Sequence, residues 1–459
     1  MKRLVTFPRV AAALVLSSAV IAAFGPVVLP AHTARALGLT IFTIGFWATG
    51  VIPEYLTSLA FFSLAMLFSV SPGHVVFSGF TSSVVWLVFG GLVLGVAIKQ
   101  TGLGERIAGR LALTFGKTYG RIITGMVVVG MVLSFLIPAT VSRVILLTPI
   151  ASALAARFGF REGSNGYTGI LTAAVFGTFL PAFAVLTANA PNLVLAGAAE
   201  TLYGFKPVYG EYLRLHFPVL GLIKAVMLIG LILWLYPDRP HLSLPDRVRR
   251  TPLSVDEKRL SLILALTIGL WLTDFQHHIS PAWIGLSAGV VCLLPVFRLV
   301  PAEGFRREIN YGILFFLAGI IGFSAMLRDS GVGDHLAKFL LAVLPLAPDS
   351  PLLNYTAITA ATFLTGIATT LPAVPAVLAP LADEMAQAAA IPVETALMIQ
   401  VVGFSLFLFP FQAPPVVLAI QMGALKPGTV IHFLIFMTAA SILFVLPINF
   451  LWWRMIGWI

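Results

Sequence analysis

Cysteine is nearly absent: the 459 residues hold one, Cys292, which excludes a disulfide framework and a cysteine-rich metal site. Charge is scarce as well. Charged residues make up 10% of the chain and hydrophobic ones 59%, whereas soluble domains carry about a quarter charged residues, so a soluble enzyme is excluded. Strict alternation of apolar and polar residues is missing, which excludes a membrane β-barrel. No His-Glu-x-x-His, Gly-x-Ser-x-Gly or phosphate-binding loop occurs. No polar stretch is long enough for a soluble catalytic or nucleotide-binding domain, which argues against a membrane enzyme and against an ATP-driven pump.

What the chain does have is continuous apolar runs, and a bilayer-spanning helix needs about 20 such residues. Residues 1–36 read as a first transmembrane helix, with Lys2, Arg3 and Arg9 ahead of an apolar run too long for a signal peptide. Further runs fill 37–236 and 260–459. The stretch 237–259 between them carries Arg239, Arg247, Arg249, Arg250, Lys258 and Arg259 with four prolines, and reads as a cytoplasmic linker. The net charge of +10 needs no nucleic acid, because cytoplasmic loops of membrane proteins collect Lys and Arg.

Two runs, 121–158 and 352–390, are too long for one span and contain internal prolines, Pro138 and Pro149 in one and Pro372, Pro375 and Pro380 in the other. Proline breaks the helical hydrogen-bond ladder, so each run is expected to be a re-entrant hairpin. Broken backbone at membrane depth is tolerated only where protein or a polar cavity covers it. With non-crossing hairpins and a cytoplasmic N-terminus, most basic residues fall inside, among them Lys99, Arg106, Arg110, Lys117, Arg157, Arg161, Arg307 and Lys426. Arg35, Lys206, Arg214, Arg328, Lys338 and Arg454 fall outside with the C-terminus.

Two segments recur in order. Thr101-Gly102-Leu103-Gly104 resembles Ser330-Gly331-Val332-Gly333, and Asn189-Ala190-Pro191-Asn192 resembles Gln412-Ala413-Pro414-Pro415. The register shifts are nearly equal, which indicates a duplication. Five spans per copy would invert the second copy, the architecture of secondary transporters. The expected fold is therefore an all-α polytopic membrane protein. It has about eleven transmembrane helices in two inverted five-helix repeats, each with a re-entrant hairpin and a broken helix.

In this arrangement the chain resembles the divalent-anion/sodium symporter family, whose break after each hairpin commonly reads Gly-Thr-Pro-Pro-Asn. Ala188-Asn189-Ala190-Pro191-Asn192 and Phe411-Gln412-Ala413-Pro414-Pro415 stand in that place. The resemblance implies a secondary active transporter of a small anion, a dicarboxylate, another organic anion or sulfate, working by alternating access in the inner membrane as a homodimer. It also implies sodium as coupling ion, bound at Thr140 with Ala188 and at Thr370 with Phe411. The family's Ser-Asn-Thr tip signature is not intact. Its positions hold Ala139-Thr140-Val141 and Thr370-Leu371-Pro372, or Pro138-Ala139-Thr140 and Thr369-Thr370-Leu371 in the neighbouring frame. An ion or solute permease, or an antiporter of the wider fold, stays open as the alternative.

The residues themselves suggest the substrate site. Arg143, just past the first tip, is a cation at membrane depth, costly unless paired, and its planar guanidinium suits a carboxylate or sulfate. It is expected to bind the anion or to supply fixed charge where relatives use sodium. Thr140, Ser142, Thr369 and Thr370 offer hydroxyls near the tips. Asn189 and Gln412 offer amides at the breaks, whereas Asn192 is expected to be structural. Lys224 is read as snorkelling to a bundle edge. Asp274, Glu54 and the pair Asp383-Glu384 are read as solvated or capping residues.

Overall fold

The computed structural model describes residues 2–27, 29–107, 118–240 and 252–459. Arg110, Lys117, Arg247, Arg249 and Arg250 lie outside the described residues, as do the side chains of Lys2, Arg3 and Arg9. Among the described residues all regular structure is helical. The first half comprises α1 (Lys2–Phe24), α2 (Ala31–Thr49), α3 (Glu54–Leu67), α4 (Ser83–Thr101), α5 (Tyr119–Leu136), α6 (Thr140–Arg157), α7 (Asn165–Phe179), α8 (Ala190–Tyr203), α9 (Tyr209–His216) and α10 (Lys224–Leu235). The second comprises α11 (Val255–Leu272), α12 (Pro281–Leu293), α13 (Tyr311–Asp329), α14 (Val332–Val343), α15 (Pro351–Ala368), α16 (Ala373–Leu378), α17 (Ala382–Ala389), α18 (Val393–Phe404), α19 (Pro414–Met422), α20 (Pro427–Ala440) and α21 (Leu446–Met455).

Among the described residues eight helices are long and apolar enough to cross a membrane, or nine counting the pair Ala373–Ala389 and Val393–Phe404, bent by 117°. The difference from the expected eleven has a physical source. Of the expected spans, α3 and α12 have only 14 and 13 residues, α18 and α19 are two pieces of one broken path, and α2 and α11 are long enough but are made polar by His32 and Arg35 and by the charges at 256–259. In the other direction, α5 and α6 are long and apolar yet fold back on each other.

That fold-back is visible in their contacts. Tyr119, at the start of α5, donates its hydroxyl to the carbonyl of Asn165 at 3.4 Å. Ser152, toward the end of α6, lies 3.2 Å from the Tyr167 hydroxyl. Both outer ends therefore sit beside the start of α7. The tip, Ile137–Ala139, meets α4 near its middle, where a Cβ added to Gly91 would lie 2.7 Å from Cγ of Pro138. The second hairpin is built alike: α15 goes in, α16 and α17 come back, and Asn354 at its start donates to the Ala389 carbonyl at 3.2 Å.

The two hairpins open at opposite ends of the bundle. Tyr203, ending α8, donates to the Ala379 carbonyl in the second hairpin at 2.7 Å. Gly423, just past α19, accepts from Tyr167 beside the base of the first at 3.3 Å. The recurring glycines acquire a reason here. Gly102 and Gly331 end α4 and α13 with φ of 72° and 71°, a left-handed conformation that glycine adopts without Cβ penalty. Local sequence sets the other boundaries: Ser164 caps α7 by accepting from Tyr167 N–H at 3.2 Å, and Ser254 and Glu257 form a capping box on α11.

The last span of each half carries a π-helical turn, Phe217–Ile223 in one and Ser441–Val445 in the other. Their starts are separated by nearly the same interval as the repeated sequence motifs. Glycines bring helices to backbone contact, as membrane helices commonly do. A Cβ on Gly90 of α4 would lie 2.4 Å from the Gly285 carbonyl of α12, and one on Gly130 of α5 would lie 2.5 Å from the Gly177 carbonyl carbon of α7.

Candidate functional site

Proline starts the construction. Pro181 and Pro191 stop a single helix from running through 165–203, and Pro410, Pro414 and Pro415 do the same in 393–422. Each gap holds a short 3₁₀ turn, Pro181–Ala184 or Pro410–Gln412. Each hairpin tip is tied to the break of its own half. In the first half the Thr140 hydroxyl donates to the Ala188 carbonyl at 3.2 Å. In the second, Leu371 N–H donates to the Gln412 carbonyl at 2.8 Å and the Gln412 amide donates to the Gly366 carbonyl at 2.6 Å.

Between these four pieces lies a cavity of about 150 Å³. Its wall includes Pro138–Val141 from the first tip and Leu371 and Pro372 from the second. Asn189–Pro191 and Gln412–Pro415 come from the breaks, with Phe179, Phe316 and Glu54 completing it. A second cavity of about 610 Å³ shares Leu92, Ala139, Val141 and Ile313 with it and opens toward the base of the first hairpin. Lys99, Glu105, Ser142, Arg307, Glu308 and Asn310 line this vestibule. The two cavities are thus neighbours on either side of this shared wall.

The expected site residues divide accordingly. Thr140, Asn189 and Gln412 line the central cavity, Ser142 lines the vestibule, and Arg143, Thr369 and Thr370 are buried without lining either. Arg143 is fully buried behind the first tip. Nε donates to Thr178 Oγ1 at 2.9 Å, Nη1 to the Ile137 carbonyl, and Nη2 to Thr140 Oγ1 at 3.0 Å and to the carbonyls of Ala188 at 2.7 Å and Thr178 at 3.2 Å. Every nitrogen has a protein acceptor, so the guanidinium holds tip and break together. Phe411 stacks on Phe409, their rings 5.6 Å apart, and is half exposed.

Asn189 is differently placed. Its Oδ1 accepts from Asn192 N–H at 3.0 Å and caps α8, while Nδ2 is buried with no hydrogen-bond partner. A buried amide that leaves two donors unused is costly, and here it belongs to a residue of the cavity wall. The first-turn amides of α6 have no acceptor within their helix and carry the positive end of its dipole, whereas in α8 only Ala190 offers one, since Pro191 has no N–H and the Asn192 and Leu193 amides are taken by Asn189. Asn192 ties the break together, its Nδ2 donating to the carbonyls of Ala182, Phe183 and Val185 at 3.0–3.3 Å.

Three readings of the sequence need correction. Lys224 does not snorkel: it is fully buried and donates to Ser405 at the start of the second break, to the carbonyl at 2.8 Å and to Oγ at 3.1 Å. Glu54 lines the central cavity. Asp274 is buried, accepting from the backbone N–H of Tyr209 at 2.5 Å and Gly210 at 3.3 Å at the start of α9. A cation central to a long apolar run was the visible signal for Lys224. For Glu54 it was an acid opening a short span directly after Pro53.

The comparisons with known proteins bear on this geometry. The family model described as CitMHS, citrate transporter, matches residues 44–403. A membrane protein of Cupriavidus necator is 24% identical over 395 residues, covering 83% of this chain and 77% of that one. An L-tartrate/succinate antiporter of Escherichia coli is 26% identical over 285 residues, covering 57% of this chain and 56% of the antiporter. The match therefore spans only about half the length of that antiporter. Among solved structures, the Alcanivorax borkumensis YdaH transporter superposes with a TM-score of 0.56 at 18% identity, over 86% of this chain and 89% of that one.

Proposed function

The chain belongs to the citrate transporter family and is a secondary transporter of an organic anion rather than an enzyme, and from that premise we propose that it carries its anion by alternating access at the cavity between the two tips and two breaks. One observation supports this reading above the others: Asn189, a residue of the cavity wall, carries a buried Nδ2 without a hydrogen-bond partner, beside the first-turn amides of α6. Oriented donors at helix N-termini stabilise a negative group at low cost, since they are already in place before it arrives. The vestibule next to this cavity opens toward one end of the bundle, as expected of one state of an alternating cycle.

Sodium is not part of the proposal at the first tip. The resemblance implies a cation held by Thr140 and Ala188. In this chain Nη2 of Arg143 bonds Thr140 Oγ1 and the Ala188 carbonyl at 3.0 and 2.7 Å. A guanidinium in that place supplies a permanent charge, and a second cation there would meet repulsion. Exchange of one anion for another is the coupling that fits a fixed cation.

Lys99, Arg106, Arg157 and Arg161 belong to the end of the bundle where the vestibule opens, and the positive-inside tendency makes that end cytoplasmic. In this reading the N-terminus lies inside, the C-terminus outside, and the vestibule opens to the cytoplasm. The homodimer implied by the resemblance belongs to the same proposal, and light scattering of the purified protein tests it. Counterflow of labelled anion in proteoliposomes, with sodium or choline on both sides, tests the function. Saturable counterflow of equal rate in the two salts is expected. Uptake that requires sodium overturns the exchange reading, and flux without saturation or counterflow overturns a carrier.

A further inference from the structure

The donors of the central cavity are unequally distributed between the two halves. On the first-half side stand Asn189, whose Nδ2 has no partner, and the free first-turn amides of α6 with that of Ala190; Pro191 has no N–H, and the Asn192 and Leu193 amides are taken by Asn189. Thr140 adds nothing, because its hydroxyl proton goes to the Ala188 carbonyl. The second-half side is nearly without donors. Pro372, Pro414 and Pro415 have no N–H, and Leu371 N–H is spent on the Gln412 carbonyl. The Gln412 side chain accepts from Leu408 and Phe409 N–H at 2.9 and 2.8 Å and donates to the Gly366 carbonyl.

The rest of the wall is apolar, with Phe179 and Phe316 among its larger members, and Glu54 is its one charged residue. An anionic group on the substrate finds partners at one place only. A second carboxylate would face proline rings, phenyl rings or the Glu54 carboxylate, and burying an unpaired charge there is strongly unfavourable.

Resting on the anion-carrier reading above, we propose that this site selects a monocarboxylate with an apolar body, its carboxylate at Asn189 and its body against Leu371, Pro372, Pro414 and Phe316. Dicarboxylates and tricarboxylates are disfavoured by the same wall.

Thermal stabilisation and counterflow of the purified full-length protein decide it, with phenylacetate, benzoate and 4-methylvalerate set against succinate, L-tartrate and citrate. At least one monocarboxylate is expected to bind tenfold or more tighter than all three polycarboxylates and to drive counterflow. Succinate, tartrate or citrate binding as tightly as the best monocarboxylate overturns the inference but leaves the anion carrier standing. Binding by neither class overturns both. Asn189→Asp keeps the oxygen that caps α8 and replaces the donor by an acceptor. It is expected to keep the melting temperature of the unliganded protein and to weaken phenylacetate binding at least tenfold. Unchanged phenylacetate affinity in the folded variant overturns the placement.

Discussion

Arg143 donates to the Ala188 carbonyl at 2.7 Å, joining the tip of the first hairpin to the break of the helix behind it. Lys224 does the corresponding work in the second half, donating to the Ser405 carbonyl at 2.8 Å. Each broken helix thus exposes a carbonyl that a buried cation satisfies. Interrupting a helix inside a membrane frees backbone groups that water cannot reach, and a long cationic side chain offers several donors from one position.

Replacing Arg143 by Gln should destabilise the protein before it affects the substrate. The Ile137 carbonyl loses its donor, at a cost of about 1–3 kcal/mol, and the carbonyls of Thr178 and Ala188 are left with Ser134 and Thr140 alone. The melting temperature in detergent is expected to fall well below that of Ser142→Ala, whose side chain faces the vestibule. Equal melting temperatures for the two variants would show that the guanidinium is not holding the tip.

Lys224→Met tests the second break in the same way. The methionine fits the apolar surroundings but leaves the Ser405 carbonyl without its donor, a loss of about 1–3 kcal/mol. A lower melting temperature, together with faster proteolysis around residues 405–413, is the expected result. A variant as stable as the parent would make the lysine dispensable.

Gly91 should separate binding from movement. Its missing Cβ leaves room for Pro138 at the first tip, so Gly91→Ala puts a methyl group into the contact where hairpin and α4 meet. The transport rate is expected to fall severalfold while ligand-induced stabilisation changes little. Loss of binding in parallel with transport would show that the contact shapes the site rather than its motion.

Glu54→Gln removes the one charge on the cavity wall and leaves the shape of the side chain nearly unchanged. If the carboxylate helps to reject a second negative group, succinate should gain affinity relative to phenylacetate by about tenfold, or about 1.4 kcal/mol. Competition binding at neutral pH measures the ratio. An unchanged ratio would leave the apolar wall as the sole source of discrimination.

Composition and prolines were enough to determine the class of protein, the hairpins and the broken helices. Those properties are local: apolar length decides what enters a bilayer, and a proline breaks its own helix wherever that helix packs. The paired glycines at 102 and 331 were legible for the same reason, since each ends a helix in a left-handed turn. Which way Arg143 faced, that Lys224 reached Ser405, and that Glu54 stood in the cavity wall depended on helices far apart in the chain coming together. A residue's chemistry says what it needs as a partner. Only the packing of the two halves decided whether that partner was a carbonyl of the broken backbone or the open space left for a ligand.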